Sequence, residues 1–441
     1  MAQPDAEVPE DLTAVKNVTL ELPPEIVAQS LAEYARAWVG RVRSGESGVL
    51  PVIAAMVIIT VVFQVISPNH VFLTGNNLVN LFQQSAVVIV LAMAEGFVLL
   101  LGEIDLSVGY AAGVAGVIGV QLAEPQTTNW PWWAAIGGAL LFCVFVGAIQ
   151  GTIISRLRVP AFVVTLGGFL ILNGLMLILL LLGPFSGYPS LIGPGPNLSV
   201  MHQLMWGHFE PLESWIGMAV VIGLLALSFW LRDARRRRSG LVAPPVSITL
   251  MKISLVTVAG VGVVAICNIN RALFGTLEGV PWFIPIVLGV LGAWTILLER
   301  TKFGRYIYAI GGNPEAARRA GVSLPNVRTI GFILCSLTAG IGGLLYASYL
   351  DGMSNNVNGG QLVLYAVAAA VIGGTSLFGG RGRTLHGVLG GLVIGGIANG
   401  MYLLQLQVQW VFIVTGFVLL AAVTIDALSR RGSATGGSGR V

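Results

Sequence analysis

Charge is what this 441-residue sequence has least of. Asp, Glu, Lys and Arg make up 10% of it, 55% of its residues are hydrophobic, and its mean hydropathy is +0.84. An ordinary soluble domain carries about 25% charged residues, so a soluble fold is excluded and a polytopic membrane protein is indicated. Lysine is nearly missing, with 3 Lys against 21 Arg. None of Lys16, Lys252 and Lys302 follows a glycine, so GxxxxGK[ST] does not occur and the chain does not bind ATP through a P-loop. Its 3 cysteines, Cys143, Cys267 and Cys335, lie within or at the edge of apolar runs and read as packed thiols, not as a disulfide framework. The 4 histidines, His70, His202, His208 and His386, are scattered, with no HExxH or other paired-ligand spacing, which leaves no metal site to expect. A GxSxG elbow and a Cys-x-x-Cys repeat are also missing, and the outer loops lack the acids or histidines that a membrane-embedded transferase would cluster. The net charge of +4 implies no nucleic-acid partner, because the basic residues sit at membrane boundaries with no interleaved aromatic patch.

What is present is hydrophobic runs. Twelve are near spanning length, at roughly 50–67, 84–101, 107–122, 133–154, 160–182, 214–231, 248–267, 281–298, 327–349, 361–377, 385–404 and 409–428. They predict an all-α bundle in the lipid bilayer, and 58 glycines suit close helix packing there. With the N-terminus inside, 23 of 24 basic residues fall on the cytoplasmic side and only Arg271 falls outside. Both termini are therefore expected to be cytoplasmic.

The domain reading follows. Residues 1–48 form a cytoplasmic tail with no signal peptide, in which Val27, Leu31, Tyr34, Ala35, Trp38 and Val42 recur at the spacing of an amphipathic interfacial helix. Residues 50–428 form the membrane domain and 429–441 a cytoplasmic tail. The long outer connection at 183–213 is rich in Gly, Pro and aromatics, and suits a loop that dips back, gates an outer entrance or simply connects.

The most structured polar stretch is the loop 299–328, ERTKFGRYIYAIGGNPEAARRAGVSLPNVR. Asn313 is placed to cap a helix, Pro314 to occupy its first position and Glu315 to favour its positive end. Ala316, Ala317 and Ala320 propagate it, Arg318 and Arg319 make it basic, and Gly321 ends it. A short helix held against the cytoplasmic face is a docking element, not a catalytic one. A second polar turn, Gly379, Gly380, Arg381 and Gly382, follows Gly373-Gly374-Thr375-Ser376 and reads as a flexible basic turn at the same surface.

Acids within or between spans are the remaining candidates. Glu103, Asp105 and Ser107 lie in LGEIDLSVGY, between the second and third runs. They line a polar pathway if the connection is a broken helix within the membrane; Asp105 or Ser107 capping the next helix, with Gly102 and Gly109 allowing close packing, accounts for the same residues. Glu95 lies inside the second run, where a carboxylate is either functional or a neutral hydrogen-bonded group. Asn173, inside the fifth run, is either a pathway residue or interhelical glue.

GEIDLSVG at 102–109, FGRYIYAIGGNPEAARRAGV at 303–322 and VIGGTSLFGGRG at 371–382 together resemble the permease subunits of bacterial ABC importers for monosaccharides, over roughly residues 50–428. Asn358-Gly359-Gly360 leading into the last motif is most similar to the xylose-type branch. The resemblance implies a ten-helix core, to which two runs around Arg235 to Arg238 are additional, in a bacterial plasma membrane. It implies a homodimer, two cytoplasmic ATPase subunits that bind the ATP, and an extracytoplasmic sugar-binding protein. It makes the helix from Asn313 to Ala320 the element that couples to the ATPase. An ion-coupled carrier using Glu95 and Glu103, and a permease for branched-chain amino acids, remain alternatives.

Overall fold

The computed structural model describes residues 36, 49–182, 190–191, 195–240, 244–272, 275–354 and 357–435. Apart from Arg36, the expected N-terminal amphipathic helix lies outside the described residues.

Each of the twelve hydrophobic runs forms a helix. The first five are α1 (Leu50–Ile66), α2 (Gly75–Leu100), α3 (Val108–Ala123), α4 (Trp132–Arg156) and α5 (Ala161–Leu177, continued by a π turn at Ile178–Leu182). In the connection that follows lie β1 (Ser190–Leu191) and α6 (Pro196–Trp206). Next come α7 (Pro211–Arg238), α8 (Val246–Cys267) and α9 (Phe283–Arg300), then two short polar helices, α10 (Lys302–Gly312) and α11 (Pro314–Arg319). The last third holds α12 (Leu324–Tyr349), β2 (Gly352–Met353), α13 (Gly359–Ile372), α14 (Thr384–Leu403) and α15 (Val408–Thr435).

These elements fall into two compact units. The larger takes in Ser47–Ile216 and Val263–Val441. Its centre is α2, most of which is buried, packed against α12, α13 and α14, with α3 and α4 lying along α12. Small residues make this closeness possible: a Cβ at Gly343 of α12 would overlap the Ala112 carbonyl oxygen of α3. The first turns of α2 escape a hydropathy reading because they carry Asn77, Gln83 and Gln84. Folding pairs these groups inside. Asn77 Nδ2 donates to Asn399 Oδ1 at 2.9 Å, Asn399 Nδ2 to Gln84 Oε1 at 3.3 Å, and Gln83 Nε2 to the Met205 carbonyl at 3.2 Å.

The described part of the connection after α5 packs on the bundle. Leu198, Met201 and Met205 of α6 are buried in the main core. Ser348 Oγ donates to the His202 carbonyl at 2.9 Å, and Trp206 Nε1 to the Ser348 carbonyl at 2.9 Å, fixing α6 to the end of α12. Antiparallel pairing of β1 with β2 ties the same region.

The smaller unit contains Gly217–Gly262, the greater part of α7 and α8. The two additional runs of the sequence therefore pack as a hairpin of their own. Thr249 Oγ1 donates to Asp233 Oδ2 at 2.7 Å, and Gly260 of α8 faces Ile222 of α7. Arg235 to Arg238, read from sequence as loop, instead extend α7 beyond the apolar run, with Arg237 Nε donating to the Asp233 carbonyl at 3.3 Å. Similarly, α15 runs seven residues past the expected span end at 428 to Thr435, no proline interrupting it.

Candidate functional site

The three motif stretches are far apart in sequence, yet one end of α2 collects them. Gly380 N donates to the carbonyl of Leu100, the last residue of α2, at 2.9 Å. Gly379 and Gly380 have φ of +83° and +71°, left-handed values that glycine adopts without strain. The turn expected to be flexible is thus pinned, with Ser376 N also donating to the Arg381 carbonyl at 2.9 Å; the Arg381 side chain is exposed. Gly311 closes the junction from the other side, where a Cβ would overlap the Leu100 carbonyl oxygen and the Gly380 amide. Tyr308 Oη donates to the Gly382 carbonyl at 2.8 Å.

The 299–328 loop contains the expected helix and one more. In α11, Asn313 Oδ1 accepts from Ala316 N at 2.9 Å, and Pro314 occupies the first turn. Gly321, at φ +81°, ends the helix, and Val322 N reaches back to the Ala317 carbonyl at 3.0 Å. The preceding α10 was not foreseen, although Phe303, Ile307 and Ile310 recur at helical spacing. Ile307 and Ile310 are buried with Phe97, Leu100, Leu101 and Val327, and Ala317 joins the same cluster. Ala317 is therefore the inward anchor of α11, whereas Asn313, Pro314, Glu315, Ala316, Arg318, Arg319 and Gly321 are exposed. Arg318 Nη2 donates to Glu315 Oε1 at 2.8 Å, and Arg319 Nε to the same oxygen at 3.3 Å. Hydrogen bonds from Arg318 hold the Glu315 carboxyl below the usual carboxylate range.

The acids divide by environment. Glu103, in the connection after α2, has its Oε1 3.3 Å from Arg328 Nε, joining this connection to the first turns of α12. Burial pushes the Glu103 carboxyl above the usual range, and Arg328 pulls it part of the way back. Asp105 and Ser107 are fully buried. Asp105 Oδ1 accepts from Ser107 N at 2.9 Å and from Ser107 Oγ at 2.6 Å, while Gln150 Nε2 donates to Ser107 Oγ at 3.0 Å. Cys335 Sγ donates to Asp105 Oδ2 at 3.7 Å. The carboxylate thus shapes the turn ahead of α3 and links α3, α4 and α12. Glu95 is also fully buried, and neither of its oxygens has a hydrogen-bond partner among the described residues. Asn173 is half-buried on α5.

A groove of about 540 Å³ opens beside the turn, with Leu106 at one end. Its walls include Phe169 of α5, Asn358 and Gln361 at the start of α13, Tyr365 of α13, and Phe412 and Thr415 of α15. Gln361 Nε2 donates to Tyr365 Oη at 3.0 Å, and Thr415 Oγ1 has no hydrogen-bond partner among the described residues. The lining is predominantly apolar, with these few polar groups set into it. Sequence reasoning missed Gln361, Tyr365 and Thr415, because isolated uncharged polar residues do not interrupt a hydrophobic run.

A bundle of helices of membrane-spanning length, with a short exposed helix docked on one end, is the form of a multi-pass membrane permease. The family model described as branched-chain amino acid transport system / permease component matches residues 77–423, and the chain belongs to that family. It is 32% identical over 384 residues to the xylose transport system permease protein XylH of Escherichia coli (strain K12), covering 87% of this chain and 92% of the relative. It is 30% identical over 395 residues to the xylose permease of Haemophilus influenzae, covering 89% and 99%, and 29% identical over 393 residues to the ribose import permease protein RbsC of Escherichia coli (strain K12), covering 89% and 95%. No solved structure matches the chain.

Proposed function

We propose that this permease imports a monosaccharide, with xylose or a similar pentose as the first candidate, as the membrane subunit of an ATP-driven importer in a bacterial plasma membrane. The observation that carries this reading is the convergence of the three motif stretches on the end of α2, where α11 presents Glu315, Arg318 and Arg319 outward from a buried footing at Ala317. This is the form a coupling helix needs: a rigid lever whose outer face is free for a cytoplasmic ATPase subunit and whose inner face is part of the membrane core. ATP binds to that partner, whose rearrangement biases the permease between inward-closed and inward-open states. The end of the bundle carrying α11 is cytoplasmic on this reading, as are both termini. A second copy of the permease and an external sugar-binding protein complete the assembly.

The groove with Asn358, Gln361, Tyr365 and Thr415 is the proposed sugar-facing wall. Its amides and hydroxyls match a polyol, and Phe169, Tyr365 and Phe412 offer ring faces to the apolar side of a sugar. Asp105 and Ser107 act on this route through the turn that holds Leu106 against the groove.

The test is uptake of labelled xylose, ribose and leucine into proteoliposomes, with and without the ATPase, the binding protein and internal ATP. Xylose uptake that needs every component supports the proposal. Uptake of leucine instead would move the substrate to the amino-acid branch; uptake by the chain alone on an ion gradient would overturn the coupling reading. Glu315→Arg with Ala316→Trp, both on the outer face of α11, should abolish transport while the protein remains in the membrane.

A further inference from the structure

A second cavity, of about 580 Å³, lies at the same end of the larger unit, between the α4–α5 connection and the start of α12. Arg158, Arg318 and Arg328 line it, against one carboxylate, Glu103. The three guanidinium groups differ in how far they are satisfied. Arg318 is bonded to Glu315, and Arg328 lies beside Glu103, but Arg328 Nε is shielded from solvent and makes no hydrogen bond among the described residues. Arg158 has no carboxylate partner among the described residues and is held at φ +57°, a conformation uncommon for a side chain of its kind.

Two long helices also begin at this cavity. Pro160 and Ala161 open α5, and Leu324 and Pro325 open α12; neither helix has a side-chain cap at its N-terminus. The positive ends of both dipoles therefore add to the arginines. The cavity is an electropositive pocket whose cations outnumber its acids.

Its rim is apolar. Leu157, Phe162 and Val163, next in sequence to its lining residues Arg158 and Ala161, are exposed, and so is Leu170 further along α5. A soluble anion has no use for such a rim, whereas an acyl chain does.

We infer that this cavity binds the phosphate group of an anionic phospholipid, with the acyl chains lying along the exposed face of α5. Basic pockets between spans at the cytoplasmic surface are suited to such headgroups. The same phosphate chemistry is offered by free phosphate, and the experiment separates the two sources. It does not depend on which solute the permease carries.

The full chain, purified in detergent, is presented with equal amounts of phosphatidylglycerol and phosphatidylcholine, and retained lipid is counted by native mass spectrometry. Phosphatidylglycerol should be retained in preference, and Arg158→Gln and Arg328→Gln should each lower that preference about fivefold. Arg158 is exposed, so Arg158→Gln keeps the test decisive if Arg328→Gln fails to fold. Equal retention of the two lipids, or a preference unchanged in folded Arg158→Gln, would overturn the inference. So would a rise in melting temperature with inorganic phosphate that phosphatidylglycerol does not reproduce, which would assign the cavity to a soluble anion. If adding the ATPase subunit displaces phosphatidylglycerol and Arg158→Gln weakens ATPase binding alone, the cavity receives an acidic side chain of that partner and the lipid assignment fails.

Discussion

Gly380 N donates a 2.9 Å hydrogen bond to the Leu100 carbonyl, and Gly311 packs against both groups with no room for a side chain. The end of α2, the glycine turn and the α10–α11 stretch consequently move as one body. Gly311→Val should separate them, costing about 2 kcal/mol or more of stability and reducing transport at least about tenfold. The neighbouring Gly312 has open space where a Cβ would be built. Gly312→Ala should therefore stay within about 0.5 kcal/mol of wild type. Melting temperatures and uptake measured on the pair check this, and equal effects at the two positions would refute the close approach at Gly311.

Asn313 is the cap on which α11 starts, and the helix has only six residues to sustain itself. Asn313→Ala should cost about 1 kcal/mol of helix stability, and Asn313→Ser much less. If the ATPase docks on a preformed helix, its affinity for Asn313→Ala permeases should fall about fivefold and recover in Asn313→Ser. Binding titrations with purified ATPase subunit measure this directly.

The contrast between α11 and α10 shows what the sequence could reveal. Asn313, Pro314 and Gly321 are local signals, and a local signal survives translation into structure because it depends on the backbone of a few residues. The spacing of Phe303, Ile307 and Ile310 that marks α10 was equally present but lay hidden among the charges of the loop. Gly311, although inside the 303–322 motif, gave no sign of its close approach, and Gln361 carried no signal at all. Their roles are set by Leu100 and Gly380 in the first case, and by the surfaces of α5 and α15 in the second, all distant in sequence. Asp105 lay between these extremes. Its place in a turn before α3 was legible, but the cap expected of Asp105 or Ser107 is not made, Asp105 binding Ser107 instead, and the links to Cys335 and, through Ser107, to Gln150 were not legible.

Asn77 and Asn399 make the polar contact that a hydropathy plot counts against a span. Their 2.9 Å hydrogen bond joins α2 to α14 where both are buried. Asn77→Leu alone should leave the Asn399 amide short of a partner, and a double-mutant cycle with Asn399→Leu should give a coupling energy of about 0.6–1.7 kcal/mol. Unfolding in mixed micelles can measure it; a coupling near zero would mean that water or other side chains replace the bond.

Glu103 makes stability depend on pH in a particular direction. Its carboxyl is raised above the usual range by burial, with Arg328 opposing the shift, so the folded protein binds this proton more readily than the unfolded chain does. Stability contributed by this group rises as the pH falls from the raised value towards that of an ordinary glutamate, and is lost again as the pH climbs. Glu103→Gln should flatten this part of the melting-temperature profile. Protonation also frees Arg328 from its 3.3 Å contact, so phosphatidylglycerol retention should increase on mild acidification in the wild type. In Glu103→Gln retention should already be high at neutral pH and insensitive to acidification. A wild-type pH profile that Glu103→Gln leaves unaltered would show that another group governs it, and would remove Glu103 from any control of the arginine cavity.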